Sequence, residues 1–107
     1  MHYLLFYAVV PDYAERRQAF RAAHLAHAHQ AVARGELVLG GALANPPDAS
    51  ILLFRGDSPA AAEAFAAADP YVTNGLVTQW WVRGWTTVVG PDAAVALPPD
   101  LAAGDTP

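Results

Sequence analysis

The chain has 107 residues, of which 54% are hydrophobic and 15% charged, and its formal net charge is −4. That length accommodates one domain, and the excess of acid over base offers no basic stripe of the kind nucleic acid requires. With no cysteine, a disulfide framework, a thiolate nucleophile and cysteine metal ligands are excluded, so any catalysis falls to His, carboxylates, Tyr or Ser.

Met1 to Val10 is apolar but has no basic n-region, runs into Pro11-Asp12 without a small-residue cleavage pattern and is too short to span a bilayer. A cytoplasmic protein without membrane contact is expected. Strand alternation puts Leu4, Phe6 and Ala8 on one face and Tyr3, Leu5, Tyr7 and Val9 on the other. Asp12 and Glu15 make a capping-box pattern, which predicts a helix over 13–34 ended by Gly35 in the left-handed position.

Residues 36–44 and 50–56 read as two strands joined by a turn through Asn45-Pro46-Pro47-Asp48. Ser58 and Pro59 suit the N-cap and first position of a second helix reaching about residue 68. Asp69-Pro70 repeats that chemistry and opens one further turn, closed by Gly75. A long last strand over 77–89 carries Trp80, Trp81 and Trp85. Residues 91–107 form a Pro- and Ala-rich tail, expected to lie on the body or a partner through Val95, Leu97 and Leu101, and residues 1–90 form the domain.

The order βαββαβ predicts an α+β, ferredoxin-like fold: a four-stranded antiparallel sheet with two helices on one face. Two helices cover only one face, yet the strands are apolar on both parities, as Leu37 and Leu39 against Val38 illustrate. A homodimer through the uncovered sheet face is the simplest expectation, and a hydrophobic ligand or another protein competes with it.

His24 lies one turn from Arg21 on the first helix, where it can face the sheet as an acid–base group or serve as a hydrogen-bonded core histidine. Asp69 before Pro70 can cap a helix, orient His24, or do both with its two oxygens. Arg21 can hold an anionic substrate group or pair with a surface carboxylate. Tyr7, Tyr71 and Trp80 are candidate pocket walls for a planar ring, or core and interface aromatics. His27, one turn from His24, and His29 lack the third ligand and the HExxH-type spacing of a metal site, so no metal is expected and both are placed near solvent. Ser50 and Ser58 read as turn residues.

Arg21-Ala22-Ala23-His24-Leu25, the Gly40-Gly41 pair and Asp69-Pro70-Tyr71-Val72 before Gly75-Leu76, taken together and in this order, resemble the YciI-like family of small dimeric α+β barrel proteins. The resemblance covers roughly residues 3–89. It implies a ferredoxin-like fold related to muconolactone isomerase, dimerisation through sheet faces, and a His-Asp pair in a cleft, carried by His24 and Asp69. One branch of the family eliminates chloride from a chlorinated hydroxyhydroquinone. The chain departs from the family pattern at Ala42-Leu43, where proline often follows the glycine, in its short proline-rich loop, and in its tail.

The function expected is a cofactor-independent lyase or isomerase acting on a small cyclic metabolite, phenolic or lactone-like, with His24 and Asp69 catalytic and Arg21, Tyr7, Tyr71 and Trp80 around the substrate. A non-enzymatic small-molecule-binding module and an α+β barrel monooxygenase are the alternatives. His24 within reach of Asp69 beside an open pocket separates the enzyme from the binding module.

Overall fold

The computed structural model describes residues 1–102, and residues 103–107 of the expected tail lie outside the described residues. The strands β1 (His2–Val9), β2 (Leu37–Ala42), β3 (Ala49–Arg55) and β4 (Val77–Trp85) form one antiparallel sheet in the order β2-β3-β1-β4. Between β1 and β2 lie α1 (Tyr13–Arg16), a 3-10 turn (Arg17–Ala19) and α2 (Arg21–Ala33). Between β3 and β4 lie α3 (Ala60–Ala68) and the single turn α4 (Pro70–Thr73), and a short α5 (Pro99–Ala102) follows β4. This is the expected α+β, ferredoxin-like βαββαβ arrangement.

Register assigns the two faces. Leu5 pairs with Leu52 and Val82, and Tyr7 with Ser50 and Trp80, so these side chains share one face. On that face Leu5, Tyr7, Leu37, Leu52 and Phe54 are buried with Ala62, Phe65 and Ala66 of α3 in one core. The opposite face carries Leu4, Phe6, Ile51 and Leu53, with Phe6 stacked on Trp81 at 5.4 Å. There Trp81, Trp85 and Leu39 stay 41%, 46% and 70% exposed.

Several local expectations change. The helix expected over 13–34 is interrupted: Phe20 takes φ −117° and ψ 3°, and α2 restarts behind it. Nothing in 16–20 is a helix breaker, so packing of the Phe20 ring against the core overrides local propensity. The Asp12 capping box does not form, because at φ −96° and ψ 26° its backbone lacks cap geometry, and its carboxylate lies 3.9 Å from Arg16 instead. β4 stops at Trp85, short of residue 89, since Trp85 already faces His2 at the start of β1 and later residues have no strand to pair with. Ser50 lies inside β3 and is buried, while Ser58 does accept the Ala60 N–H at 3.2 Å.

Beyond β4 the chain folds back on Thr87, which accepts from the N–H groups of Ala94 at its hydroxyl and Val95 at its carbonyl. None of the helices found among the described residues is long and apolar enough to cross a membrane.

Both glycine stops form as expected. Gly35 (φ 77°) and Gly75 (φ 78°) each donate to the residue three before, while Glu36 and Leu76 bond back five residues, the pattern of a Schellman cap. Gly75 ends the turn that presents Asp69 and Tyr71, and any Cβ there must adopt the left-handed region. Gly75→Ala is expected to lower unfolding stability by about 1–2 kcal/mol, read as a reduced urea midpoint at unchanged slope.

Candidate functional site

Among the described residues Asp69 is the most deeply buried polar side chain. It terminates α3 and caps α4, with extended backbone (φ −67°, ψ 126°) as the following proline demands. That turn drives its carboxylate inward, where it is 0% exposed. Three donors meet it: the Tyr71 N–H reaches Oδ1 at 3.0 Å, the Tyr7 hydroxyl reaches Oδ2 at 2.7 Å, and His24 Nδ1 lies 2.8 Å from Oδ1. The cap and the histidine therefore share one oxygen, where one oxygen for each role was expected. Tyr7 occupies the other.

Because the carboxylate is acceptor to both other partners, Nδ1 of His24 is the donor in the third bond, which leaves Nε2 to carry the lone pair of the neutral ring. Among the described residues Nε2 has no protein partner. The imidazole lies flat on the Tyr71 ring, centroids 3.8 Å apart and planes 5° from parallel. Hydrogen bond and stack together fix position and rotation.

A cleft of about 410 Å³ opens beside this pair between α2 and the β2 side of the sheet. Tyr7, Ser50 and Leu52 form its floor, His24, Leu25 and Ala28 one wall, and β2 the other. Gly40 approaches Leu52 so closely that a Cβ would lie 3.1 Å from Leu52 Cγ. The Gly40-Gly41 pair thus leaves that wall bare. The volume suits a small molecule.

Of the six candidate site residues, His24, Arg21, Tyr7 and Tyr71 line the cleft, and Asp69 lies immediately behind them. Trp80 does not line it. Trp80 stands on β4, on the far side of β1 from the cleft, and packs against the core.

His27, expected near solvent, is half-buried: its Nε2–H donates to the Phe65 carbonyl at 2.9 Å and its ring stacks on Phe65, joining α2 to α3. His29 is exposed and lines the cleft. No group of three His, Asp or Glu side chains among the described residues is arranged to hold a metal.

Sequence reasoning missed Arg17, Tyr13 and Ser50, which also line the cleft. Tyr13 meets Tyr71 edge-on at 5.7 Å and its hydroxyl lies 3.4 Å from Ser50 Oγ, while the Arg17 guanidinium sits 5.3 Å over the Tyr13 ring. The signal was the i, i+4 series Tyr13, Arg17 and Arg21.

A family model described as YCII-related domain matches residues 1–86. No curated protein matches the chain. Among solved structures it is similar to the 5-chloro-2-hydroxyhydroquinone dehydrochlorinase of Burkholderia phenoliruptrix, in complex with 2,5-dihydroxybenzoquinone, at 23% identity and a TM-score of 0.69 over 82% of this chain and 96% of that one. Protein Atu4242 of Agrobacterium tumefaciens is similar at 14% identity and a TM-score of 0.55, over 90% of this chain and all of that one. These likenesses show a shared fold, of the muconolactone isomerase-like kind.

Burial first, and then the charge of Asp69, hold the Tyr7 phenol well above its ordinary pKa of 10.0. Its contribution to stability is therefore complete below pH 10.0 and is lost as pH rises further, because the unfolded chain releases a proton that the folded chain keeps. Tyr7→Phe is expected to lower stability at neutral pH by about 1.5–3 kcal/mol, the worth of a hydrogen bond to a charged group. In urea titrations across the alkaline range, its stability should also fall less steeply above pH 10.0 than that of the parent.

Proposed function

This chain belongs to the YCII-related domain family, and from that premise we propose that it is a small enzyme of lyase or isomerase type, moving a proton on a small cyclic substrate, phenolic or lactone-like. One observation carries the reading: His24 is held 2.8 Å from a fully buried carboxylate and lines a cleft of about 410 Å³. A solvent-facing or core histidine needs no such support.

In this scheme Nε2 takes a proton from a carbon or hydroxyl beside a carbonyl of the substrate. The electron pair left behind expels a leaving group from the neighbouring carbon, or collects the same proton from Nε2–H at another position. Asp69 orients the ring, fixes its tautomer and offsets the charge that arrives on it. Arg21 holds an anionic group of the substrate, and Tyr7 and Tyr71 position the imidazole through Asp69 and by stacking. The scheme calls for no cofactor. The similar dehydrochlorinase is by its name a lyase, and the dihydroxybenzoquinone in its complex is a small ring of the class proposed for this cleft.

The reading includes a homodimer through the open sheet face, where Leu39, Trp81 and Trp85 leave apolar surface in water. Sedimentation at micromolar concentration is expected to show a dimer, and Trp81→Glu a monomer. A stable parent monomer would contradict this part.

For the chemistry, hydroxylated quinones, phenols and lactones are incubated with the protein in D2O and followed by NMR for C–H exchange or elimination. At least one is expected to exchange, with a loss of about 10²–10⁴-fold in His24→Gln, measured well below the melting temperature of the variant, which loses a bond to Asp69 and melts lower. Asp69→Asn should fall in the same direction. Exchange that survives His24→Gln sinks the shuttle, and tight binding without exchange by the parent leaves a binding module.

A further inference from the structure

The cleft carries more positive charge than proton transfer needs. Two guanidiniums, Arg17 and Arg21, line it, and no carboxylate does. All six cationic side chains of Lys or Arg type in this chain are arginines, and the net charge is −4, so acidic partners abound. Arg16 and Arg34 take such partners in Asp12 and Glu36. Among the described residues the other four arginines have no carboxylate within ion-pair distance, and of these Arg17 and Arg21 line the cleft while Arg55 and Arg83 do not.

A run of rings links Arg17 to His24. Arg17 rests over Tyr13, Tyr13 meets Tyr71 edge-on, and Tyr71 carries His24 on its face. Burial raises the Tyr71 phenol's pKa most, Tyr13 adds to it, and Arg21 and Arg17 both pull against that rise, which marks their charge as felt at the ring under His24. Arg21 is exposed and Arg17 half-buried, whereas the inner walls are apolar at Leu25, Ala28 and Leu52. The site is thus cationic at its mouth and flat and apolar within.

Resting on His24 as the proton shuttle, we propose that the substrate is a ring carboxylate, its carboxylate clamped by Arg17 and Arg21 at the mouth and its acidic C–H or O–H turned inward to Nε2. A guanidinium presents a planar fork that matches a carboxylate in two parallel hydrogen bonds and stays charged at every working pH. Two forks without carboxylate partners at one mouth select a permanently anionic, planar group over a neutral hydroxyl.

The test uses 4-hydroxybenzoate and phenol, which differ only in the carboxylate, titrated into the full chain by calorimetry. The acid is expected to bind at least about tenfold more tightly. Arg17→Gln and Arg21→Gln should each weaken the acid about fivefold or more and leave phenol unchanged, and the double variant should show no preference. Raising NaCl from about 50 to about 500 mM should weaken the acid alone. Equal affinities, a preference that survives in the double variant, or no binding of either probe at millimolar concentration would overturn the clamp. Binding is read without turnover, so a tenfold preference alongside an active His24→Gln variant would keep the clamp and remove the shuttle.

Discussion

One buried carboxylate organises this molecule. Taking Asp69 out of water costs several kcal/mol unless its lone pairs are filled, and they are filled from three separate elements: the Tyr7 hydroxyl from β1, His24 from α2, and the Tyr71 N–H from α4. Each bond also fixes a group that the cleft uses. The capped turn sets Tyr71 beneath the imidazole, and the histidine bond engages Nδ1 and leaves Nε2 without a protein partner among the described residues. Loss of the carboxylate would orphan all three donors, so structure and site cannot be separated at this residue.

What the sequence revealed follows the range of the forces involved. Strand parity, the glycine stops at 35 and 75 and the Asp69-Pro70 cap are local, and each was legible because a few neighbouring residues decide it. The interrupted first helix was not, because the Phe20 break comes from packing on the core rather than from any residue in 16–20. Trp80 shows the same limit: its parity places it on the helix face beside Tyr7, but only the strand order puts it across β1 from the cleft. His24 and Asp69 could be named from motifs, yet the Tyr7 hydroxyl as third partner joins residues 62 apart in the chain. His27 misled because a helical polar residue reads as solvated until its carbonyl partner on another helix is known.

Charge in the site is arranged in depth. Asp69 sits wholly behind the rings of Tyr7, His24 and Tyr71, its negative charge engaged in three hydrogen bonds, so it supports His24 without cancelling the cations at the mouth. The rest of the chain supplies the negative balance, with Arg16 and Arg34 neutralised locally. A concave, low-dielectric wall concentrates the field of the remaining cations. An acidic protein can therefore carry an opening whose own charged side chains are arginines.

The cleft itself arises from unequal packing on the helix face of the sheet. Toward β4, α3 offers Ala62, Phe65 and Ala66 to the core, and His27 locks α2 against it, so that half is filled. Toward β2 the facing positions are Gly40 and Ala42, paired with Leu52 and Ser50, and neither has a side chain long enough to reach α2. A larger residue at Gly40 would run into Leu52, so the strand cannot close the gap without displacing the floor. The opening is thus held by the same close packing that stabilises the sheet beneath it, and the side of α2 left uncovered is the side that carries Arg21, His24 and His29.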